Sequence, residues 1–241
     1  AGALAFADRN AHVGDRDFVK VPDEALLDKE YADERLCAVS MAQATPKPLE
    51  PGDVSRYDGR CEPGAEREGT AVEAEDHENT ETTHLVVTDR WGTVVSYTLT
   101  IEQTGGAGIV VPGRGFLLNN EMGDFNAGPG LTDDSGLIGT PANLARPQKR
   151  MLSSMTPSIV ARDGRLVAVV GSPGGRTIIN TVAQVILNVI DFGMNIQMAV
   201  NAPRIHHQWL PDRISIEGGG ASAATVERLE AKEPKVKLVC N

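Results

Sequence analysis

Residues 82–103 read TTHLVVTDRWGTVVSYTLTIEQ. β-branched and aromatic residues fill both halves, with apolar and polar positions alternating, and Asp89-Arg90-Trp91-Gly92 punctuates the middle. The stretch predicts two strands joined as a hairpin. What precedes it has a different texture. The run EREGTAVEAEDHE, residues 66–78, is polar and acidic and reads as a solvated tether. The chain therefore steps from tether to core strand at Thr82-Thr83-His84.

Working outward, GGAGIVVPGRG (105–115) predicts a flexible loop and FLLNNEMGDF (116–125) a short strand running into polar residues. Residues 126–150 form a long Gly/Pro-rich loop, a candidate lid. SIVARDGRLVAVVG (158–171) predicts a second hairpin turning at Asp163-Gly164. A helix follows, with an apolar stripe of Ile178, Val182, Val185, Ile186 and Val189, stopped by Gly193. Shorter helices are expected before Pro203 and over residues 221–234, then a strand at KVKLVCN. Upstream, residue 1 falls inside a helical pattern. Pro22 and Asp23 open another helix, carrying Leu26, Leu27, Tyr31 and Leu36. Residues 43–64 are Pro- and Gly-rich and run into the tether. Strands in the middle and helices on the flanks predict an α/β (α+β) fold with sheets covered by helices. Both ends read as cut, so the chain is expected to be a piece of something longer.

The 241 residues suffice for one large or two small domains with a real core. With 41% hydrophobic and 23% charged residues the chain reads as globular, and aromatics at 4% leave Val, Ile, Leu and Ala to build the interior. A net charge of −10 argues against a nucleic-acid surface. No apolar run reaches the ~20 residues a membrane span needs. Cys37, Cys61 and Cys240 lack metal-ligand spacing and are expected to be unpaired thiols. His206 and His207 invite a metal reading, but neighbours on an extended segment point to opposite sides.

Three stretches carry candidate chemistry. A threonine hydroxyl needs a base, and scission of the preceding peptide bond would supply one, because a free α-amine has a pKa of about 8. On pattern alone, Thr82-Thr83 is ordinary strand propensity. GSPGG, residues 171–175, lies between an apolar strand and an amphipathic helix. It suits an oxyanion hole of backbone N–H groups, and equally a plain strand-to-helix turn. Glu121 and Asp124 could attract an ammonium, and Ser153 and Ser154 could hold a carboxylate, which together describe an α-amino acid head. Each alone is also a turn residue.

These motifs, in this order, resemble the gamma-glutamyltranspeptidase family of N-terminal-nucleophile hydrolases: TTHLVVTDRWGTVVSYTLTIEQTGGAGIVVPGRGFLLNNEMGDF, RMLSSMTPSIV, GSPGGRTII and NAPRIHHQWLPD. ADRNAHVGDRDFVKVP is similar to a segment late in that family's large subunit. The resemblance implies a four-layer αββα sandwich, incomplete in this chain. Residues 1–81 would be the end of the large subunit with its processing tether, and 82–241 most of the small subunit. Autocleavage would fall between Glu81 and Thr82. Thr82 would be the nucleophile, Thr100 its hydroxyl neighbour, and Gly174 and Gly175 the oxyanion donors. Glu102, where many members have asparagine, would hold the donor's α-amino group with Glu121 and Asp124; Ser153 and Ser154 would hold the α-carboxylate.

The implied reaction is gamma-glutamyl transfer or hydrolysis of glutathione and related amides through a threonine ester, with an amino acid or dipeptide acceptor. It uses no cofactor and no metal. The implied partner is the rest of the large subunit, and the implied location periplasmic or secreted. The arginine that clamps the donor carboxylate in the family matches no position here, and the closing strands of the small subunit are missing. The chain alone is therefore expected to show little activity and to aggregate or process poorly. Two alternatives remain: a glutaryl- or cephalosporin-acylase-like branch, and a non-catalytic, unprocessed fragment.

Overall fold

Period-two stretches became strands and period-3.6 stretches became helices, in a mixed α+β arrangement. The computed structural model describes residues 1–40, 42–45, 49–61, 80–133, 135–232 and 235–239. Most of the predicted tether and Cys240 lie outside these.

Three small sheets form the β-structure. β1 (Thr80–Thr88) pairs antiparallel with β2 (Val94–Gln103), as the opening stretch predicts. β3 (Ser158–Arg162) pairs antiparallel with β4 (Arg165–Val170). Asp163 and Gly164 turn that hairpin with φ of 51° and 73°, the paired positive values a two-residue I′ turn requires. β5 (Ile205–His206), β6 (Arg213–Glu217) and β7 (Lys235–Val239) make the third sheet, with β6 and β7 parallel. Its crossover is α6 (Ala223–Glu230), capped by Ser222.

The core lies under α4 (Thr177–Ile190). Ile178, Val182 and Val185 are buried against Val170 of β4 and Ala199 of α5 (Ile196–Asn201), with Ile186 and Val189 at the margin. The predicted stripe thus faces the sheet. Apolar residues on both faces of β1–β2 stand exposed, including Val86, Val87, Tyr97 and Leu99. Among the described residues no helix is long and apolar enough to cross a membrane.

Four expectations change. The helix expected from Asp23 breaks into α2 (Asp23–Leu26) and α3 (Lys29–Leu36), because Asp28 caps α3 by accepting from the Glu30 N–H at 2.9 Å. The loop over 105–115 folds onto the following residues as a narrow hairpin, with Val111 N–H bonded to Phe116 O and Leu118 N–H to Ile109 O, each at 2.9 Å. Cys37 and Cys61 are a disulfide, not free thiols. The Pro/Gly-rich segment folds back on α1 (Gly2–His12) and α3, through Gly52 N–H to Asp8 at 2.7 Å and Asp58 N–H to Glu34 at 3.0 Å. That brings together thiols 24 residues apart, which sequence spacing does not reveal. The candidate lid is anchored: Ile138, Ala142, Asn143 and Lys149 are buried, and Lys149 donates to the carbonyls of Ala142 and Leu144 at 2.7 and 2.9 Å.

Candidate functional site

Thr82 and Thr100 face each other across β1–β2. The Thr82 hydroxyl donates to Thr100 Oγ1 at 3.1 Å, and Thr100 donates to the Glu81 carbonyl at 3.2 Å. The Glu102 N–H donates to the same Thr100 oxygen at 2.9 Å. A hydroxyl has one proton and two lone pairs, so Thr100 is fully used. Its proton points at the carbonyl of the Glu81–Thr82 peptide, and its lone pairs hold the neighbouring hydroxyl in place. Glu81 is fixed as well, its carboxylate accepting from Thr104 Oγ1 at 2.9 Å.

The strand register shifts beside this pair. Thr80 pairs with Gln103 and Thr82 with Thr100, so β2 carries one extra residue. Glu102 in this bulge takes φ of 71°, a left-handed conformation unfavourable for a side chain of its size. The bulge turns Glu102 toward the 3-10 turn Glu121–Asp124, where a Cβ on Gly123 would collide with its carboxyl. Asn120 fixes that turn on β2, its N–H bonded to Ile101 O at 3.2 Å and its side chain accepting from Gln103 N–H at 3.1 Å.

Three carboxyls therefore converge. Burial, then the charge and contact of Asp124, then the charge of Glu102 push Glu121 up to about 7. One Glu121 oxygen is buried with no hydrogen-bond partner among the described residues. Asp124 is raised by burial too, while its contact with Glu121 and the charges of Arg176 and Arg9 hold it back. Crowded carboxyls of this kind repel one another when ionised and attract positive charge. His, Cys, Asp and Glu form no group of three suited to a metal ion among the described residues. His206 and His207 use both ring nitrogens in hydrogen bonds, to Asn180 and Gln208 and to Asp212 and Trp209.

Ser154 lines a polar cavity of about 160 Å³ together with Arg9, Asp124 and Arg176. Ser153 does not line it: its hydroxyl accepts from Met155 N–H at 3.1 Å, and its carbonyl accepts from Arg9. The loop holding both serines is fastened from the N-terminal segment. Asp15, buried, accepts from Arg150 N–H at 2.8 Å and from its guanidinium at 2.6 and 3.1 Å, which holds the Asp15 carboxyl well below the usual range. Buried Asn143 joins the two halves of the site, donating to Asp124 O at 2.7 Å and accepting from Leu152 N–H at 2.9 Å.

Gly174 and Gly175 close the turn between β4 and α4, with φ of 127° and 54°. The carbonyl of Gly174 accepts from the Thr177 hydroxyl at 2.7 Å and N–H at 3.0 Å, and that of Gly175 from the Ile178 N–H at 3.1 Å, at the start of α4. Among the described residues no hydrogen bond joins Gly174 or Gly175 to Thr82. The two elements meet through their neighbours. Ser96 of β2 donates to Val170 O at 3.3 Å, and His84 lies so close to Gly171 that any Cβ there would overlap its ring. His84, Asn143, Asp15 with Arg150, and Arg9 were not foreseen from sequence. The one available signal was the polar run Asp8-Arg9-Asn10 inside an apolar helix; Asp8 and Asn10 are both buried.

Comparison with known proteins adds identity to this geometry. A family model described as Gamma-glutamyltranspeptidase matches residues 1–239. The chain is 44% identical to the glutathione hydrolase proenzyme of Escherichia coli over 99% of its own length, and spans 38% of that protein. Against the Bacillus subtilis glutathione hydrolase proenzyme it is 44% identical over 84% of its length, spanning 32%. In structure it is similar to a mutant Helicobacter pylori gamma-glutamyltranspeptidase, with TM-score 0.61 and 49% identity, covering 65% of this chain and 84% of that one. The cephalosporin acylase of Bacillus halodurans shares the fold, with TM-score 0.74 at 24% identity over 99% of this chain and 37% of that one.

Proposed function

The chain belongs to the gamma-glutamyltranspeptidase family, and from that premise we propose that it carries the catalytic half of a self-cleaving gamma-glutamyl transferase and hydrolase. Residues 1–81 are the end of the large subunit and 82–241 belong to the small one. The observation that carries this reading is the chain of hydroxyls from Thr82 through Thr100 to the Glu81 carbonyl.

In the intact chain, Thr82 Oγ attacks the Glu81 carbonyl carbon. Negative charge develops on the oxygen that Thr100 already contacts, where a preplaced donor is most effective. The hydroxyl proton passes to the amide nitrogen as the C–N bond breaks, leaving an ester on Thr82, and water hydrolyses it. The Glu81 carboxylate departs and the α-amine of Thr82 becomes free, with a pKa of about 8. That amine then takes the Thr82 hydroxyl proton as Oγ attacks a gamma-glutamyl amide. The oxyanion is held by the N–H groups of Gly174 and Gly175. The leaving amine, of glutathione or a relative, collects the proton. Water or an acceptor amine resolves the gamma-glutamyl ester.

Glu102, Glu121 and Asp124 support an ammonium-bearing donor over a glutaryl amide, which lacks the cation such a cluster needs. The test is N-terminal sequencing of the complete precursor after incubation. A new chain starting Thr-Thr-His is expected, and Thr82→Ala should abolish both that chain and turnover of a gamma-glutamyl anilide. Cleavage elsewhere, or maturation that survives the substitution, would sink the reading.

A further inference from the structure

The glycines of the GSPGG turn are there for different reasons. Gly174 and Gly175 take positive φ, which glycine adopts at no steric cost. Gly171 does not, so its backbone conformation makes no demand for glycine. Space makes the demand instead. Any Cβ on Gly171 would overlap the His84 ring from Nδ1 through Cε1 to Nε2. A ring close to its backbone, unlike the tip of a long flexible side chain, has little freedom to swing aside.

His84 is held in that place. It follows Thr82 by two residues on β1, so the two side chains share one face of the hairpin. Thr100 and Thr98 stand opposite them on β2. The Thr98 residue is buried, and its hydroxyl lies 2.8 Å from His84 Nδ1, which orients the ring. Nε2 is buried with no hydrogen-bond partner among the described residues. Burial lowers the imidazole's pKa, so the ring is neutral at neutral pH. Ser96 continues the same face of β2, and its hydroxyl donates to the Val170 carbonyl at 3.3 Å. The hairpin therefore meets two consecutive residues at the end of β4, Val170 through a hydrogen bond and Gly171 through the ring. Three residues further on, the chain reaches Gly174 and Gly175.

We infer that the contact between His84 and Gly171 is a positioning joint, setting how far the oxyanion N–H groups of Gly174 and Gly175 stand from the Thr82 hydroxyl. This rests on the gamma-glutamyl reading above. His84 and Gly171 are positioning residues, acting through the strand and the turn that carry the reacting groups. Formation and resolution of the gamma-glutamyl ester both pass through an oxyanion, and a misplacement of about 1 Å at such a site costs about 100-fold in rate. A methyl group on Gly171 must displace either the turn or β1. Self-cleavage depends less on this joint, because its developing charge meets the Thr100 hydroxyl on β2 itself.

The experiment is a double-variant cycle in the complete precursor, read as self-cleavage and as turnover of a gamma-glutamyl anilide. Appearance of the Thr82 chain and turnover by the unsubstituted enzyme test the parent reading separately. Given those, Gly171→Ala is expected to lower kcat about 100-fold with KM changed less than about 3-fold, while self-cleavage slows far less. In a His84→Ala background, where the ring is gone, the same substitution should cost less than about 3-fold in kcat. An equal cost in the two backgrounds would overturn the inference, as would a rise in KM with kcat kept. Should Gly171→Ala give no folded enzyme, His84→Asn decides, because its amide can keep the bond to Thr98 while withdrawing the ring from Gly171. A fall of about tenfold in kcat, with KM and Tm kept, supports the joint. An unchanged kcat, or one lost in step with Tm or accompanied by a higher KM, overturns it.

Discussion

The two antiparallel hairpins make an instructive pair. Both β1–β2 and β3–β4 were written in the same β-branched code, and both carry one register shift. They differ in where the left-handed residue sits. In β3–β4 it is Asp163, at a turn that demands positive φ and in a residue that tolerates it. In β1–β2 it is Glu102, inside the strand, where regular pairing would have no such need. One hairpin places its unusual backbone where folding requires it. The other places it where three carboxyls meet and where a threonine hydroxyl contacts the Glu81–Thr82 peptide of the paired strand. A left-handed side chain away from any turn sets β1–β2 apart from β3–β4 more sharply than composition does.

The largest expected effect that separates them lies in the hydroxyl chain. Thr100→Val keeps shape and strand propensity but removes both the donor to the Glu81 carbonyl and the acceptor for Thr82. Self-cleavage of the precursor, followed by gel or intact mass, should slow about 100-fold, the scale for losing one oxyanion donor. The exposed Arg162→Ala on β3 should leave the rate unchanged. Equal slowing by both would mean that any disturbed hairpin stops cleavage, and the contrast would fail.

A smaller effect, about tenfold, comes from pH. Glu121 at about 7, against an ordinary 4.5, is neutral below that point and gains its charge above it. Because its folded-state pKa is raised, the folded state holds the extra proton between about 4.5 and 7, so its contribution to stability falls as pH rises through that window. Ligand recognition runs the other way. Competitive inhibition by glutamate, whose ammonium needs the ionised cluster, should tighten about tenfold from pH 6 to pH 8. Glu121→Gln should flatten the profile. An unchanged slope in that variant would remove Glu121 from the cluster's work.

How much of this was legible in the sequence depends on the range of the contact. Local periodicity revealed both hairpins, the Asp163-Gly164 turn and the face of α4. It failed at Leu27-Asp28, because an aspartate that fits a continuing helix also makes a strong cap. It passed over β5 and β6, where two and five residues between turn signals are too few to declare a period. The disulfide and the Asp15–Arg150 pair join residues 24 and 135 apart, and only the fold brings them together. Within the site, family likeness pointed to Thr82, Thr100 and the acids. The bulge at Glu102 has no glycine to announce it, and Arg9 looked like one more charge on a helix.

The finest test of the hairpin comparison is energetic. A non-glycine residue in the left-handed region costs about 1–3 kcal/mol, and glycine occupies it freely at a smaller entropic loss. Glu102→Gly should therefore stabilise the protein by about 1 kcal/mol, a rise of about 2–4 °C in Tm, while weakening glutamate binding. Removing one of three crowded carboxyls acts in the same direction. Asp163→Gly should shift stability by less than about 0.5 kcal/mol, since aspartate already suits the turn. Thermal unfolding of the two variants side by side reads the difference. If Glu102→Gly destabilises as much as an ordinary strand glycine, the Glu102 conformation carries no strain and its place in the site needs another cause. If it stabilises while recognition fades, the hairpin has traded folding free energy for the aim of one carboxylate.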